Sequence, residues 1–275
     1  MAKKPSVEFV LRPFEGLPGE PDWVALRELV PAATATARTT PEHGARDVVV
    51  TTILPMAWPA LHRADDVVLV ALQTGGGSGD ASRDVAAALL EALELEPGMP
   101  VTTSALPEPG PRLQEVLDPT VPFEVTVHEG FDYWLADGTE VTAEVRASLE
   151  EANQTVIPTV KLSSVESAYW CRMGDKEFLR WAMPHDEQAM IDALARLHGA
   201  RRSGIGDARF VGYFRSSGVV VPVWELPPGT EAADMEDAAV EFLGRFDEAL
   251  AETGPLDANA RRARAGLVSR QVTLR

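Results

Sequence analysis

Among the residues that could do chemistry, the first are Gly75, Gly76, Gly77, Ser78 and Gly79. They follow an apolar run, Asp66–Leu72, and precede a helical stripe of Val85, Leu89 and Leu93. A glycine-rich turn between strand and helix can aim backbone N–H groups at a phosphate. The spacing falls short of both known phosphate-loop patterns. Asp80 stands where a dinucleotide fingerprint needs its third glycine, and no Gly-Lys-Ser/Thr follows. Asp80 and Asp84 would also oppose an anion. The stretch reads as a tight connection, with an anion loop as its functional alternative.

The other reactive types are scattered. His43, His62, His128, His185 and His198 include no pair four residues apart, and His128-Glu129 lacks the second histidine of a zincin helix. Cys171 sits in a strand-like aromatic run and reads as a small buried hydrophobe. Ser78 lies in Gly76-Gly77-Ser78-Gly79-Asp80, which lacks the final glycine of a nucleophile elbow, and Ser163 and Ser164 have no such context. Asp65/Asp66 and Glu150/Glu151 read as solvated surface. No catalytic residue, metal ligand or cofactor is expected. What remains is aromatic: Tyr133, Trp134, Tyr169, Trp170, Trp181, Tyr213 and Trp224 lie in or beside predicted strands of the later half. They read as core, or as core together with an apolar groove for a peptide or partner helix.

The elements that would position these residues follow from periodicity. Val219–Trp224 predicts a strand and Pro227-Pro228-Gly229-Thr230 a turn. Ala239, Phe242, Leu243, Phe246 and Leu250 then fall on one face of a helix over 232–252. Asp66–Leu95 follows the same plan. Laid over each other without a gap, Val67, Val68, Val70, Gly76, Asp84 and Ala86 match Val220, Val221, Val223, Gly229, Asp237 and Ala239, which raises a duplicated strand–loop–helix unit.

Along the chain, Asp22 caps a short helix stopped by Pro31, and 32–42 reads as a loop. Asp47–Leu54 is a β-branched strand. Pro97–Pro122 holds seven prolines in 26 residues and reads as a semi-rigid linker or an irregular wrap. Phe123–Val127 alternates as a strand, and Phe131–Leu135 continues a hairpin. Val141, Val145, Leu149 and Ala152 mark a helix, and Val156–Leu162 a short strand. Ala168–Met173 and Phe178–Trp181 form a hairpin around Gly174-Asp175. A helix over 186–197 ends with Gly199 at its C′ position. Arg209–Phe214 pairs with Val219–Trp224. The short links near 174 and 217 favour an α+β fold of mostly antiparallel sheets flanked by helices, because parallel strands need long crossovers. The expected organisation is an N-terminal α+β domain (1–100), a Pro-rich linker (101–122), a C-terminal α+β domain (123–256) and a basic tail (257–275).

Bulk composition narrows the class. The chain has 275 residues, one cysteine and a formal net charge of −17. Residues 1–137 carry 21 acidic and 9 basic groups, and residues 138–275 carry 21 and 16. Such acidity opposes nucleic acid and anionic membrane surfaces and suits basic partners. A lone cysteine excludes an internal disulfide, and there is no apolar run long enough to span a bilayer. With no apolar signal core near Met1, the expected location is the cytoplasm.

Gly16–Pro31 (with Trp23-Val24-Ala25-Leu26 inside it), Leu54–Leu61 and Ser78–Asp84 together resemble an actinobacterial family of cytoplasmic proteins of unassigned function, loosely labelled preprotein-translocase related. The likeness spans nearly the whole chain, although no ATPase motif stands here. The order helix, hairpin, closing helix over 186–253 resembles secretion-chaperone domains. It is also similar to the C-terminal domain of the mycobacterial chaperone of the accessory SecA export pathway. That likeness implies a non-enzymatic binder of exported or aggregation-prone polypeptides, with an apolar groove in 160–253 and no catalytic residue. Two other readings compete: an enzyme or small-ligand binder with a pocket between the halves near Gly75–Gly79, and a homodimeric scaffold.

Overall fold

The computed structural model describes residues 8–75, 77–102, 109–136, 138–139 and 141–269. The chain divides into two compact units, Met1–Val156 and Ile157–Arg275. Both are α+β.

The first unit begins with α1 (Glu20–Glu28). Its Trp23 stacks between Phe14 and Phe123, with ring centroids 5.7 and 4.2 Å away, and donates its indole N–H to the Pro18 carbonyl at 3.0 Å. The strands that follow are β1 (Ala33–Arg38), β2 (Asp47–Thr51), β3 (Ala60–His62) and β4 (Val68–Ala71). After α2 (Ala81–Glu94) come β5 (Met99–Val101), the single turn α3 (Leu113–Val116), β6 (Val125–Val127) and α4 (Ala143–Asn153). The six strands form one sheet in the order β5-β3-β4-β2-β1-β6. Only β2 and β4 run parallel, with Val48 opposite Val68 and Thr51 opposite Ala71. Asp80 caps α2, its carboxylate accepting from the Ser82 amide at 3.2 Å.

The second unit holds β7 (Thr159–Lys161), β8 (Ala168–Met173), β9 (Lys176–Trp181), α5 (Glu187–Gly199), β10 (Arg209–Ser216), β11 (Val219–Glu225), α6 (Glu236–Ala251) and α7 (Ala258–Ser269). Its sheet runs β10-β11-β9-β8-β7, and every neighbouring pair is antiparallel. Ser217 and Gly218, at φ 46° and 75°, make the two-residue turn between β10 and β11. A bulge between Phe210 and Gly212 interrupts β10, the strand at the sheet's rim, and Gly212 takes φ 146° there. Trp170, Leu179, Trp181 and Trp224 pack with Met190, Leu194, Phe242 and Phe246 into one core.

Several expectations need correction. Residues 33–38 form a strand, not a loop: Ala33, Ala35 and Ala37 are buried while Thr36 and Arg38 are exposed, a two-residue period in residues of modest strand preference. The division falls at 156/157, not within the Pro-rich stretch. β6 pairs with β1, Val125 opposite Ala35, which draws 123–127 into the first sheet.

The described part of the Pro-rich stretch after residue 108 is a wrap held by side chains. Arg112 Nε donates to Asp80 at 2.8 Å, and Gln114 Nε2 donates to the Pro13 carbonyl at 2.8 Å. Residues 103–108 lie outside the described residues. Asp132–Trp134 is a 3₁₀ turn and not part of a hairpin. No residue of α4 is buried, so the stripe of Val145, Leu149 and Ala152 does not face a core.

Gly199 is the last helical residue of α5, not its C′ position; the left-handed residue is Arg201, at φ 58°. A Cβ at Gly199 would lie 2.8 Å from the Ala260 amide nitrogen. Glycine stands there because the start of α7 crosses α5 at backbone contact. The basic tail is therefore structured over 258–269, and Arg264 Nε donates to Asp192 at 2.6 Å within the same unit. The two strand-to-helix segments exist as β4–α2 and β11–α6, but β4 has one parallel neighbour whereas both neighbours of β11 are antiparallel. The sequence match does not carry over to a shared sheet topology.

Candidate functional site

The aromatic residues separate by unit. Tyr169, Trp170, Trp181, Tyr213 and Trp224 are 0 to 7 % exposed. Trp224 donates its indole N–H to the Ser203 carbonyl at 2.7 Å, and Trp170 donates to the Thr230 carbonyl at 2.8 Å. The Tyr213 hydroxyl is buried without a hydrogen-bond partner, and by their burial all five rings are interior packing. These five do not line a groove, which corrects the expectation for 160–253.

Tyr133 and Trp134 are different: both are half-buried. With Trp58, Val49 and Val67 they cover a small core of Leu54, Leu61, Leu69 and Ala71 on the first sheet. Their positions are fixed from behind. The Trp134 indole N–H donates to the Ile53 carbonyl at 2.9 Å. The Tyr133 hydroxyl reaches the same carbonyl and the Thr52 hydroxyl, each at 3.2 Å. Phe131 stacks on Trp134 at 4.5 Å, with its planes within 9° of parallel. Arg63 Nη1, from the turn between β3 and β4, donates to the Tyr133 and Leu135 carbonyls at 2.8 and 2.9 Å. At the far end, the Asn153 side-chain oxygen accepts from the Phe131 amide at 2.8 Å.

The loop before Trp58 adds apolar area. Met56 and Ala57 are both held at positive φ, 54° and 55°, a conformation disfavoured for residues other than glycine. Met56 is 85 % exposed. His128 stands beside the patch, its ring 5.0 Å from Tyr133 and its Nε2 2.8 Å from the Thr34 hydroxyl. Burial lowers the His128 pKa, and Asp132 opposes that shift only in part. Burial also raises the Tyr133 pKa. Both groups are neutral at physiological pH. The patch can offer rigid ring faces, a flexible thioether and one imidazole. It has no activated nucleophile.

The remaining candidates are committed to the fold. Ser78 donates to Asp84 twice, from its amide at 2.8 Å and from its hydroxyl at 2.5 Å. A Cβ at Gly77 would stand 2.8 Å from the same carboxylate. The place an anion would take beside Ser78 is filled by the chain's own Asp84. Gly79 accepts from the Val10 amide at 2.9 Å, and Gly75 has open space around its Cβ position. Gly76 lies outside the described residues.

His62 Nδ1 faces the Leu95 carbonyl at 2.7 Å, and its Nε2 faces the Asp66 carboxylate at 2.8 Å. Both ring nitrogens are thus engaged within the fold. Asp80 bonds Arg112 and the Ser82 amide. His62, His128 and Asp80 thus serve three separate networks. Cys171 is fully buried, and burial raises its thiol pKa; it is not a poised thiolate.

Sequence reasoning missed Trp58, Met56 and His128 as members of the patch. The signal for Met56 and Trp58 was Leu54-Pro55-Met56-Ala57-Trp58-Pro59, where two prolines bracket large apolar residues in a segment too short for a strand; His128 had none.

These features define a two-unit α+β protein whose first sheet carries a half-buried aromatic patch. The chain belongs to DUF5926, a family of unknown function whose family model matches residues 13–275. No curated protein and no solved structure matches it. Among the described residues, no helix is long and apolar enough to cross a membrane.

Proposed function

We propose that the protein is a non-enzymatic cytoplasmic binding protein for other polypeptides, and that it contacts them through the Trp58–Tyr133–Trp134 patch of the first unit. One observation carries this reading: the rings are anchored behind by hydrogen bonds to Ile53 and Thr52, yet stay only half-buried in front. Rigid aromatic side chains lose little entropy on contact and offer large area, which suits recognition of another chain. Met56 adds an adaptable thioether at the edge.

Charge supports the choice of partner. The first unit holds 25 acidic and 10 basic side chains. Basic, partly apolar segments would be drawn to it over a Debye length of about 10 Å at moderate salt. A chaperone for exported or aggregation-prone clients is the specific form we favour. The order of α5, the β10–β11 hairpin and α6 in the second unit is the observation behind that choice.

The test uses the full chain. It should suppress aggregation of a basic unfolding client without ATP, and it should bind Lys/Arg-rich apolar peptides better than acidic ones. The double variant Trp58→Ala/Trp134→Ala, checked for folding by circular dichroism, should lose both properties. If the folded double variant binds as well as the parent, or the parent binds no polypeptide, the reading is wrong.

A further inference from the structure

We infer that β6 is a strand-addition site, where an extended, basic segment of a client polypeptide pairs with the free edge of the first sheet. The inference rests on the polypeptide-binding reading and gives its mode. Among the described residues, the two sheets end in four margin strands, β5 and β6 in the first and β10 and β7 in the second. A margin strand presents unpaired backbone groups to other chains, and proteins blunt it with proline, lysine or a bulge. Three of the four are blunted in this way. Pro100 stands inside β5. β7 follows Pro158 and ends on Lys161. β10 carries its bulge between Phe210 and Gly212, with Arg209 and Arg215 near its ends. β6 is Val125-Thr126-Val127, β-branched throughout, with no proline, lysine or bulge and no buried residue.

The pairing with β1 fixes where the backbone groups of β6 point. The Thr36 amide donates to the Glu124 carbonyl at 3.3 Å, and the His128 amide donates to the Ala32 carbonyl at 2.9 Å. The ladder therefore runs past β6 at both ends. In an antiparallel pair, alternate residues turn both N–H and C=O toward the partner. Glu124, Thr126 and His128 face β1, so the N–H and C=O of Val125 and Val127 point away from it, off the margin. Among the described residues no hydrogen-bond partner meets these four groups. Thr126 and His128 share the sheet face of Thr34, and the His128 ring lies beside Tyr133. An added strand would set every second side chain along the face that carries the aromatic patch.

Charge selects the occupant. Glu124 and Glu129 flank the edge, both exposed, and residues 113–145 hold eight acidic side chains and no Lys or Arg. A second copy of β6 laid on this edge would bring like charges together, whereas a basic segment is matched. The occupant is a segment of another protein in which β-branched residues alternate with Lys or Arg. Its main chain supplies the hydrogen bonds and its alternate side chains the selectivity.

The full-length protein would be titrated, by fluorescence anisotropy, with a peptide of alternating valine and lysine and with two forms N-methylated at every second residue, one at odd and one at even positions. N-methylation removes backbone donors and leaves the side chains as they were. One N-methylated form should lose about tenfold or more in affinity and the other should bind within about twofold of the parent peptide, because only one phase of its amides meets β6. Val125→Pro removes an outward N–H and no bond to β1; folded by circular dichroism, it should bind the parent peptide about tenfold more weakly. Val125→Ala keeps that N–H and should bind within about twofold of the unsubstituted protein. Equal affinity of the two N-methylated forms, or unchanged binding by folded Val125→Pro, would overturn the strand addition and leave patch binding standing. No binding of the parent peptide would overturn both.

Discussion

In the second unit Trp224 is sealed beneath α6, 5.0 Å from Phe242. In the first unit Trp134 lies on the sheet with its back bonded to Ile53 and its front half open. The second unit, with 17 acidic and 15 basic side chains, is close to neutral, while the first has 25 against 10. The one with the well-filled aromatic core is balanced in charge. The one with the open aromatic patch is strongly acidic. Similar residue types thus serve cohesion in one unit and are left available for contact in the other. The difference lies in what covers each sheet face: two long helices in one case, a short 3₁₀ turn in the other.

Four substitutions would break or sharpen this contrast. The largest effect is expected from Trp224→Ala, which removes a fully buried ring and leaves the Ser203 carbonyl without its donor. It should cost about 4 kcal/mol in the second unit's unfolding transition by denaturant titration. Gly199→Ala forces a methyl against the Ala260 backbone and should cost about 2 kcal/mol. A near-neutral result would mean that α7 does not pack as described.

Trp134→Ala tests the other side of the comparison. It should cost only about 1–2 kcal/mol of stability, because the ring is half-buried, yet remove most peptide binding. A stability loss as large as that of Trp224→Ala would make it a core residue like the rest.

The smallest effect is expected at Glu236. Burial pushes this carboxyl up, but bonds from the amides and hydroxyls of Ser163 and Ser164 bring it from 4.5 down to about 2. A depressed carboxylate contributes stability that is present above pH 4.5 and lost as pH falls toward about 2. The bonds are largely exposed, so Glu236→Gln should cost about 1 kcal/mol at neutral pH. The gap between variant and parent should close near pH 2; a gap that persists there would rule out this linkage.

Much of the architecture was legible in periodicity. The β-branched runs at 48–51 and 219–223 and the stripe Ala239, Phe242, Phe246 report burial directly, because strands and helices place apolar side chains at fixed intervals. The α+β class followed from the short links near 174 and 217. The strand at 33–38 was not read, since alanine and threonine alternate with little hydrophobic contrast. The pairing of Val125 with Ala35 was equally hidden, because a contact spanning ninety positions leaves no local trace. At the patch, composition identified Tyr133 and Trp134 but gave no measure of depth. A tryptophan in a core and one on a rim are the same letter, and only the covering element tells them apart. Gly199 was recognised as special for the wrong reason: close helix crossing and positive φ both select glycine, and the sequence alone does not separate them.

The interruption in β10 has a consequence for how this protein tolerates crowding. A strand of eight residues at a sheet's margin is long enough to zip onto the matching margin of a neighbour. The kink at Val211 throws its amides out of register, and Arg209 and Arg215 set like charges near either end. Growth of the sheet from molecule to molecule is thereby discouraged. At this margin, contact between chains is left to side chains meeting side chains, which can be undone, and not to a spreading backbone ladder, which cannot.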